Sequence, residues 1–263
     1  MIFLRSVKRS KVDRQGDYPF HMSAINELEQ LTFTSPVTFL IGENGCGKTT
    51  LLESVVGLTH SINLVPEEFK SMTGAKKLSE SFELEWHKKT SRGFYLKSQS
   101  FITYIQYLDR IKSETKQALE NLKKEYKDRS EYAFELAALP YINTLGALKN
   151  RYGDGLDKMS HGEGYLELFK SRLVPDGLYI LDEPELSLSP MRQLSLIALI
   201  KEMVTKNCQF IIITHSPILM AFEEAVIYEF SNDGIEKIGY DDIEHVNLTK
   251  DFLNNPKRYL RYL

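Results

Sequence analysis

Three short polar segments carry the residue types from which phosphate chemistry can be built. The first is Gly42-Glu43-Asn44-Gly45-Cys46-Gly47-Lys48-Thr49, which fits G-x-x-x-x-G-K-[ST] at every position. Glycines allow a backbone curl in which successive N–H groups point at one anion, and a helix starting at the lysine adds its positive end. Lys48 can then reach the outer phosphates of a nucleotide. The Thr49 hydroxyl is a hard oxygen of the kind Mg²⁺ prefers, and Thr50 continues the same turn. The second segment is Asp182-Glu183, directly after the apolar run Leu178-Tyr179-Ile180-Leu181. In that place Asp182 suits a divalent cation and Glu183 suits orientation of an attacking water. The third is His215, after Ile211-Ile212-Ile213-Thr214, placed to hydrogen-bond a terminal phosphate or that water.

Each segment needs an element to hold it. Pro36-Val37-Thr38-Phe39-Leu40-Ile41 is apolar and β-branched, and reads as a buried strand entering the glycine loop. Apolar residues at Leu51, Leu52, Val55 and Val56 have helical spacing, and Gly57 is expected to end that helix. The runs before Asp182 and His215 read as two further strands, with a helix over 190–205 between them. Nearly continuous apolar strands alternating with helices predict a mostly parallel sheet covered on both faces. In such a sheet ligands bind beyond the carboxyl ends of the strands, where all three segments fall.

The predicted organisation is a core from 1–60 and 159–263, interrupted by a mostly helical insertion over 61–158 with a strand pair near 80–100. Within the insertion Phe101, Tyr104, Leu108, Ile111, Ala118, Leu122 and Tyr126 are spaced for one long amphipathic helix, or two. The 263 residues carry 33 Lys and Arg against 36 Asp and Glu, a formal charge of −3, so no global charge marks a nucleic-acid or membrane-surface binder. No apolar run approaches bilayer length, the first residues turn charged too early for a signal peptide, and Cys46 and Cys208 lack metal or redox spacing. These features predict a cytoplasmic protein without direct membrane insertion.

With these motifs in order, the chain resembles ABC-class ATPases, an α/β P-loop fold. Within them it is similar to the soluble branch of chromosome-maintenance, recombination-repair and phage-defence ATPases, often labelled AAA family ATPase in bacteria. Met159-Ser160-His161-Gly162-Glu163-Gly164 looks like the signature L-S-G-G-Q/E, and Ser160-x-x-Glu163 is also a capping box that would start a helix. The resemblance implies that Ser160, Gly162 and Glu163 face the γ-phosphate held by a second copy, so that ATP with Mg²⁺ binds between two protomers. It implies hydrolysis with Lys48, Glu183 and His215 in catalytic roles, Thr49 and Asp182 at Mg²⁺, and Gln99, 51 residues after Lys48, as the glutamine that senses the cation. Gly42, Glu43, Asn44, Gly45, Cys46, Gly47 and Thr50 complete the phosphate site. Tyr18 and Phe20 are candidates to stack on adenine, with core packing the competing fate.

The segment from Asp182 to Pro190 resembles D-E-P-E-x-x-L-x-P, with Ser189 where transporters carry Asp. The resemblance therefore implies an ATP-driven dimeric clamp or switch, in DNA repair or phage defence. A transporter's nucleotide-binding subunit and a non-hydrolysing ATP sensor are the alternatives. A nucleic acid or an effector protein such as a nuclease would meet the insertion, where residues 112–129 hold six basic and four acidic side chains. The basic and aromatic tail from Pro256 to Leu263 could stack on bases and is expected instead to dock on the domain or on a partner.

Overall fold

A computed structural model describes residues 1–10, 18–59, 62–63, 75–152 and 161–261. They form, in chain order, β1 Leu4–Arg9, α1 Ser23–Asn26, β2 Gln30–Thr32, β3 Val37–Gly42, α2 Lys48–Thr59, β4 Ile62–Asn63, α3 Ala75–Ser79, β5 Phe82–Trp86 and β6 Gly93–Lys97. Then follow α4 Ser98–Glu125, α5 Glu131–Tyr152, α6 His161–Arg172, β7 Leu178–Asp182, α7 Pro190–Thr205, β8 Gln209–Ile213 and α8 Pro217–Met220. The last elements are β9 Val226–Ser231, β10 Gly234–Ile238, α9 Glu244–Asn254 and α10 Pro256–Leu260. The chain divides into two compact units, Met1–Ser98 with Leu173–Leu263, and Gln99–Arg172.

The first unit contains a seven-stranded sheet ordered β10-β9-β3-β8-β7-β6-β4. Every pairing in it is parallel except β9 with β10. The predicted mostly parallel α/β sheet is therefore what the chain forms. β7 and β8 are buried at every residue, because a central parallel strand has a covered layer on each side. Leu40, Ile180, Ile211 and Ile213 share a core cluster with Leu51, Leu52, Val55 and Val56 of α2 and with Leu4 and Val7 of β1. On the other face Tyr179 stacks on Phe210 at 5.2 Å and meets the edge of Phe94 at 5.0 Å.

A second, antiparallel sheet has the order β2-β1-β5. The two strands expected near 80–100 are present but do not pair with each other: β5 joins β1, and β6 lies between β4 and β7. Their burial explains the separation. β5 alternates buried and less buried residues, as a one-faced strand does, whereas β6 buries Phe94, Tyr95 and Leu96 in succession. Nor does Gly57 end α2, which continues to Thr59; burial of Leu51, Leu52, Val55 and Val56 outweighs the roughly 1 kcal/mol that a mid-helix glycine costs.

One buried side chain ties the N-terminal strand to the large sheet. Gln209, fully buried at the start of β8, accepts from the backbone N–H groups of Phe3 (2.7 Å) and Leu4 (2.9 Å) and donates to the Leu4 carbonyl (2.9 Å). Gln209→Leu leaves these buried groups unpaired, at about 3 kcal/mol in total. We expect calorimetry to show the melting temperature lowered by about 6–12 °C; a drop below about 2 °C would mean that the linkage contributes little.

The second unit carries α4, 28 residues long, and α5, 22 residues with Pro140 inside. The amphipathic spacing from Phe101 to Leu122 belongs to α4 alone. α6 begins at His161, directly after the capping-box serine position. In the first unit Tyr259 donates to Asp251 Oδ2 (2.6 Å) and Arg258 pairs with the same oxygen (3.2 Å), so α10 folds back on α9.

Candidate functional site

The glycine loop turns between β3 and α2. Gly42 has φ +131°, and a Cβ there would lie 2.2 Å from the Phe230 carbonyl oxygen. Gly47 has φ +101°, and its Cβ would lie 2.7 Å from Ile25 Cγ1. Only glycine satisfies both the angle and the approach at each position. Lys48, 5% exposed, donates from Nζ to the carbonyls of Gly42 and Glu43, both at 2.7 Å, and lies 3.4 Å from Cys46 Sγ. The loop thus holds its own ammonium at the mouth of the sheet.

The strand register sets the partners of the loop. Leu40 of β3 pairs with Ile213, Ile213 with Asp182, and Asp182 with Lys97. One row across four strands therefore ends in the glycine loop, His215, the acidic pair and Lys97. Thr49 Oγ1 lies 3.5 Å from Asp182 Oδ1. Asp182 is 2% exposed, and burial raises its pKa to about 6, against the lowering effect of Lys97 and with smaller upward pushes from Glu183 and Glu53.

Glu183 adopts left-handed backbone angles, φ 51° and ψ 53°, a conformation that costs a non-glycine residue on the order of 1 kcal/mol. Its N–H donates to the Ile213 carbonyl at 2.9 Å, which tethers the turn to β8, and Pro184 follows. Its carboxylate lies 3.8 Å from His215 Nε2. Burial, then the neighbouring Lys48, lower the His215 pKa, against the opposing pull of Glu183. The imidazole is accordingly neutral near pH 7 and can donate or accept a hydrogen bond. Glu185 fixes the His215 backbone, its Oε1 accepting from that N–H at 2.6 Å, and Ser216 Oγ caps α8 through the N–H groups of Ile218 and Leu219.

A cleft of about 170 Å³ opens among Tyr18, Asn44, Gly45, Lys48, Thr50 and Glu183. Tyr18 is half exposed and its hydroxyl lies 3.0 Å from Thr50 Oγ1. Phe20, 7% exposed, belongs to the hydrophobic core. Two hard oxygens, Thr49 Oγ1 and Asp182 Oδ1, converge beside the loop, a donor set that fits Mg²⁺. Among the described residues no group of three His, Cys, Asp or Glu could hold a metal. A cation here would complete its shell from phosphate and water, as Mg²⁺ commonly does.

One unit therefore brings together Lys48, Thr49, Thr50, Asp182, Glu183 and His215. Ser160 lies outside the described residues, Gly162 and Glu163 fall in the first turn of α6, and Gln99 is an exposed residue at the start of α4. Sequence reasoning missed Tyr95, Lys97, Glu53 and Glu185. Tyr95 donates to Asp182 Oδ2 at 3.4 Å, and Lys97 Nζ lies 3.9 Å from the same oxygen and 3.3 Å from Glu53 Oε1. Two signals were available: Lys97 ends an apolar strand, as Asp182 does, and Glu53 stands four residues after Thr49, on the same helix face.

Among the described residues no helix is long and apolar enough to cross a membrane. The chain is 27% identical over 238 residues to the cobalt import ATP-binding protein CbiO of Salmonella typhimurium, covering 83% of this chain and 79% of that one. A Saccharolobus solfataricus protein named as an ABC transporter ATP-binding protein is 35% identical over 86 residues, 32% of this chain and only 15% of its own length. Among solved structures, the ADP conformation of an ATP-binding cassette of an ABC transporter aligns with TM-score 0.48 and 19% identity, over 100% of this chain and 98% of that one. The Smc head domain of Pyrococcus furiosus aligns with TM-score 0.48 and 12% identity, over 96% of this chain and 100% of that one. The family described as "AAA domain, putative AbiEii toxin, Type IV TA system" matches residues 60–221, more than half of the chain and inclusive of Asp182, Glu183 and His215. The chain belongs to that family of P-loop ATPase domains.

Proposed function

We propose that this protein binds ATP with Mg²⁺ and hydrolyses it at a site completed by a second copy, and that it works as a dimeric clamp or switch. The observation that carries this reading is the meeting of Lys48, Thr49, Asp182, Glu183 and His215 at the carboxyl ends of β3, β7 and β8, with Thr49 3.5 Å from Asp182 and Glu183 3.8 Å from His215. Lys48 moves from the loop carbonyls to the β- and γ-phosphates, and the N–H groups of Gly42–Thr50 cradle them. Thr49 and Asp182 would hold Mg²⁺, and Gln99 is the candidate to sense it. When bound beside these oxygens, Mg²⁺ would supply neutralisation of the charge on the phosphates. Glu183 orients a water for in-line attack on the γ-phosphorus and takes its proton as the bond to the ADP oxygen breaks. His215 hydrogen-bonds the γ-phosphate. Ser160, Gly162 and Glu163 of the second copy close the site from the opposite side.

We assign the coupled work, in DNA repair or phage defence, to the insertion over 61–158, which overlaps the helical unit Gln99–Arg172 only from residue 99 to 158, and where a nucleic acid or an effector protein would bind. The compartment assigned is the cytoplasm. A second reading, the nucleotide-binding subunit of a transporter, draws on the names of the relatives. Ser189 in place of Asp weighs against it, and co-purification with a membrane-spanning chain would revive it.

Gel filtration tests the shared site. Glu183→Gln, which holds ATP unhydrolysed, is expected to elute as a dimer with ATP and Mg²⁺ and as a smaller species without them. A monomer under both conditions would sink the shared-site mechanism.

A further inference from the structure

The two carboxylate oxygens of Asp182 have different partners. Oδ1 faces Thr49 Oγ1 at 3.5 Å. Oδ2 accepts from Tyr95 Oη at 3.4 Å and lies 3.9 Å from Lys97 Nζ. Tyr95 and Lys97 stand two apart on β6, so both side chains leave the same face of the strand, and Lys97 sits directly beside Asp182 in the register. The Lys97 ammonium is aimed in turn by Glu53 of α2, at 3.3 Å, on a side chain only 10% exposed. The carboxylate is thus gripped from one side by the neighbouring strand and presented from the other to the helix that carries Thr49.

We propose that Tyr95 and Lys97 are positioning residues for Asp182: they occupy Oδ2 and so commit Oδ1 to the cation that Thr49 also binds. The inference rests on the ATPase reading above. A carboxylate 2% exposed keeps only the partners its neighbours provide, and an unpaired charge there is costly. With the Lys97 ammonium removed, the group loses the contact that sets its rotation, and Oδ1 no longer holds its aim at Thr49. The rival role for Lys97 is simple neutralisation of Glu53. The two roles separate because one concerns Asp182 and the other does not.

The test follows Mn²⁺ binding by electron paramagnetic resonance, with saturating ADP, beside thermal melting and ADP affinity without divalent ion. Lys97→Met is expected to weaken Mn²⁺ binding about tenfold and lower the melting temperature, with metal-free ADP affinity within twofold of wild type. Glu53→Gln added to Lys97→Met is expected to restore the melting temperature but not Mn²⁺ affinity. Lys97→Arg should recover part of the Mn²⁺ affinity, and Tyr95→Phe should show a smaller loss of the same kind. If the double variant recovers Mn²⁺ affinity, or Lys97→Met binds Mn²⁺ as tightly as wild type or more so, the positioning role is overturned while the ATPase reading stands. Wild-type protein that binds ADP but takes up no Mn²⁺ with it overturns both.

Discussion

Glu183→Gln should lower steady-state phosphate release by about 10²- to 10³-fold, with ATP affinity within threefold of wild type. Glutamine keeps the size of the side chain and can still hydrogen-bond a water, but it cannot take the proton that the water gives up as it attacks phosphorus. The rate loss corresponds to about 3–4 kcal/mol of transition-state stabilisation. The geometry makes this residue the natural candidate. Its strained backbone, φ 51°, is held by the N–H bond to the Ile213 carbonyl at 2.9 Å, and the carboxylate lies 3.8 Å from His215. Malachite-green measurement of released phosphate at saturating ATP is sufficient. Equally slow release from both proteins would leave an ATP sensor in place of an enzyme.

Lys48→Ala is expected to weaken ATP binding by about 10- to 100-fold, from the loss of charge-assisted hydrogen bonds worth about 1.5–3 kcal/mol. The effect on ADP should be smaller, because Lys48 then forfeits contact with one phosphate instead of two. Isothermal titration with each nucleotide reads the difference directly. Lys48 is 5% exposed and is held at 2.7 Å by two carbonyls of its own loop, so its ammonium is kept at the loop and exchanges these carbonyls for phosphate oxygens when a nucleotide binds. Unchanged ATP affinity in Lys48→Ala would remove the phosphate site from the loop. The two lysines are thereby distinguished: loss of Lys48 is expected to act on the nucleotide, and loss of Lys97 on the cation.

The legible part of this protein was its periodicity and its punctuation. Apolar runs placed β3, β7 and β8, and the residues just after them were the ones whose chemistry could be named, because a parallel sheet presents its ligands at the carboxyl ends of its strands. The helix over 190–205 is α7, with Pro190 at its first position, a start signal in its own right. Two local readings failed where packing overrode the local signal. Gly57 did not stop α2, since the helix is held by its buried face and not by propensity alone. The expected strand pair near 80–100 did not form between β5 and β6, since β5 joins β1 and β6 lies between β4 and β7.

What the sequence determined alone was the set of groups able to meet a triphosphate and where along the chain each stands. Only the tertiary structure decided which of them share a cleft and what holds them there. The register that aligns Leu40, Ile213, Asp182 and Lys97 is a relation among four strands far apart in sequence, and no local pattern encodes it. For the same reason the distances at which Tyr95 and Lys97 meet Asp182, the turn of Glu183 and the bond that Glu185 accepts from the His215 N–H depend on the fold, although the place of Lys97 at a strand end was legible. Each depends on burial and on distances of a few ångströms between segments that meet only when the hydrophobic faces of the sheet are covered.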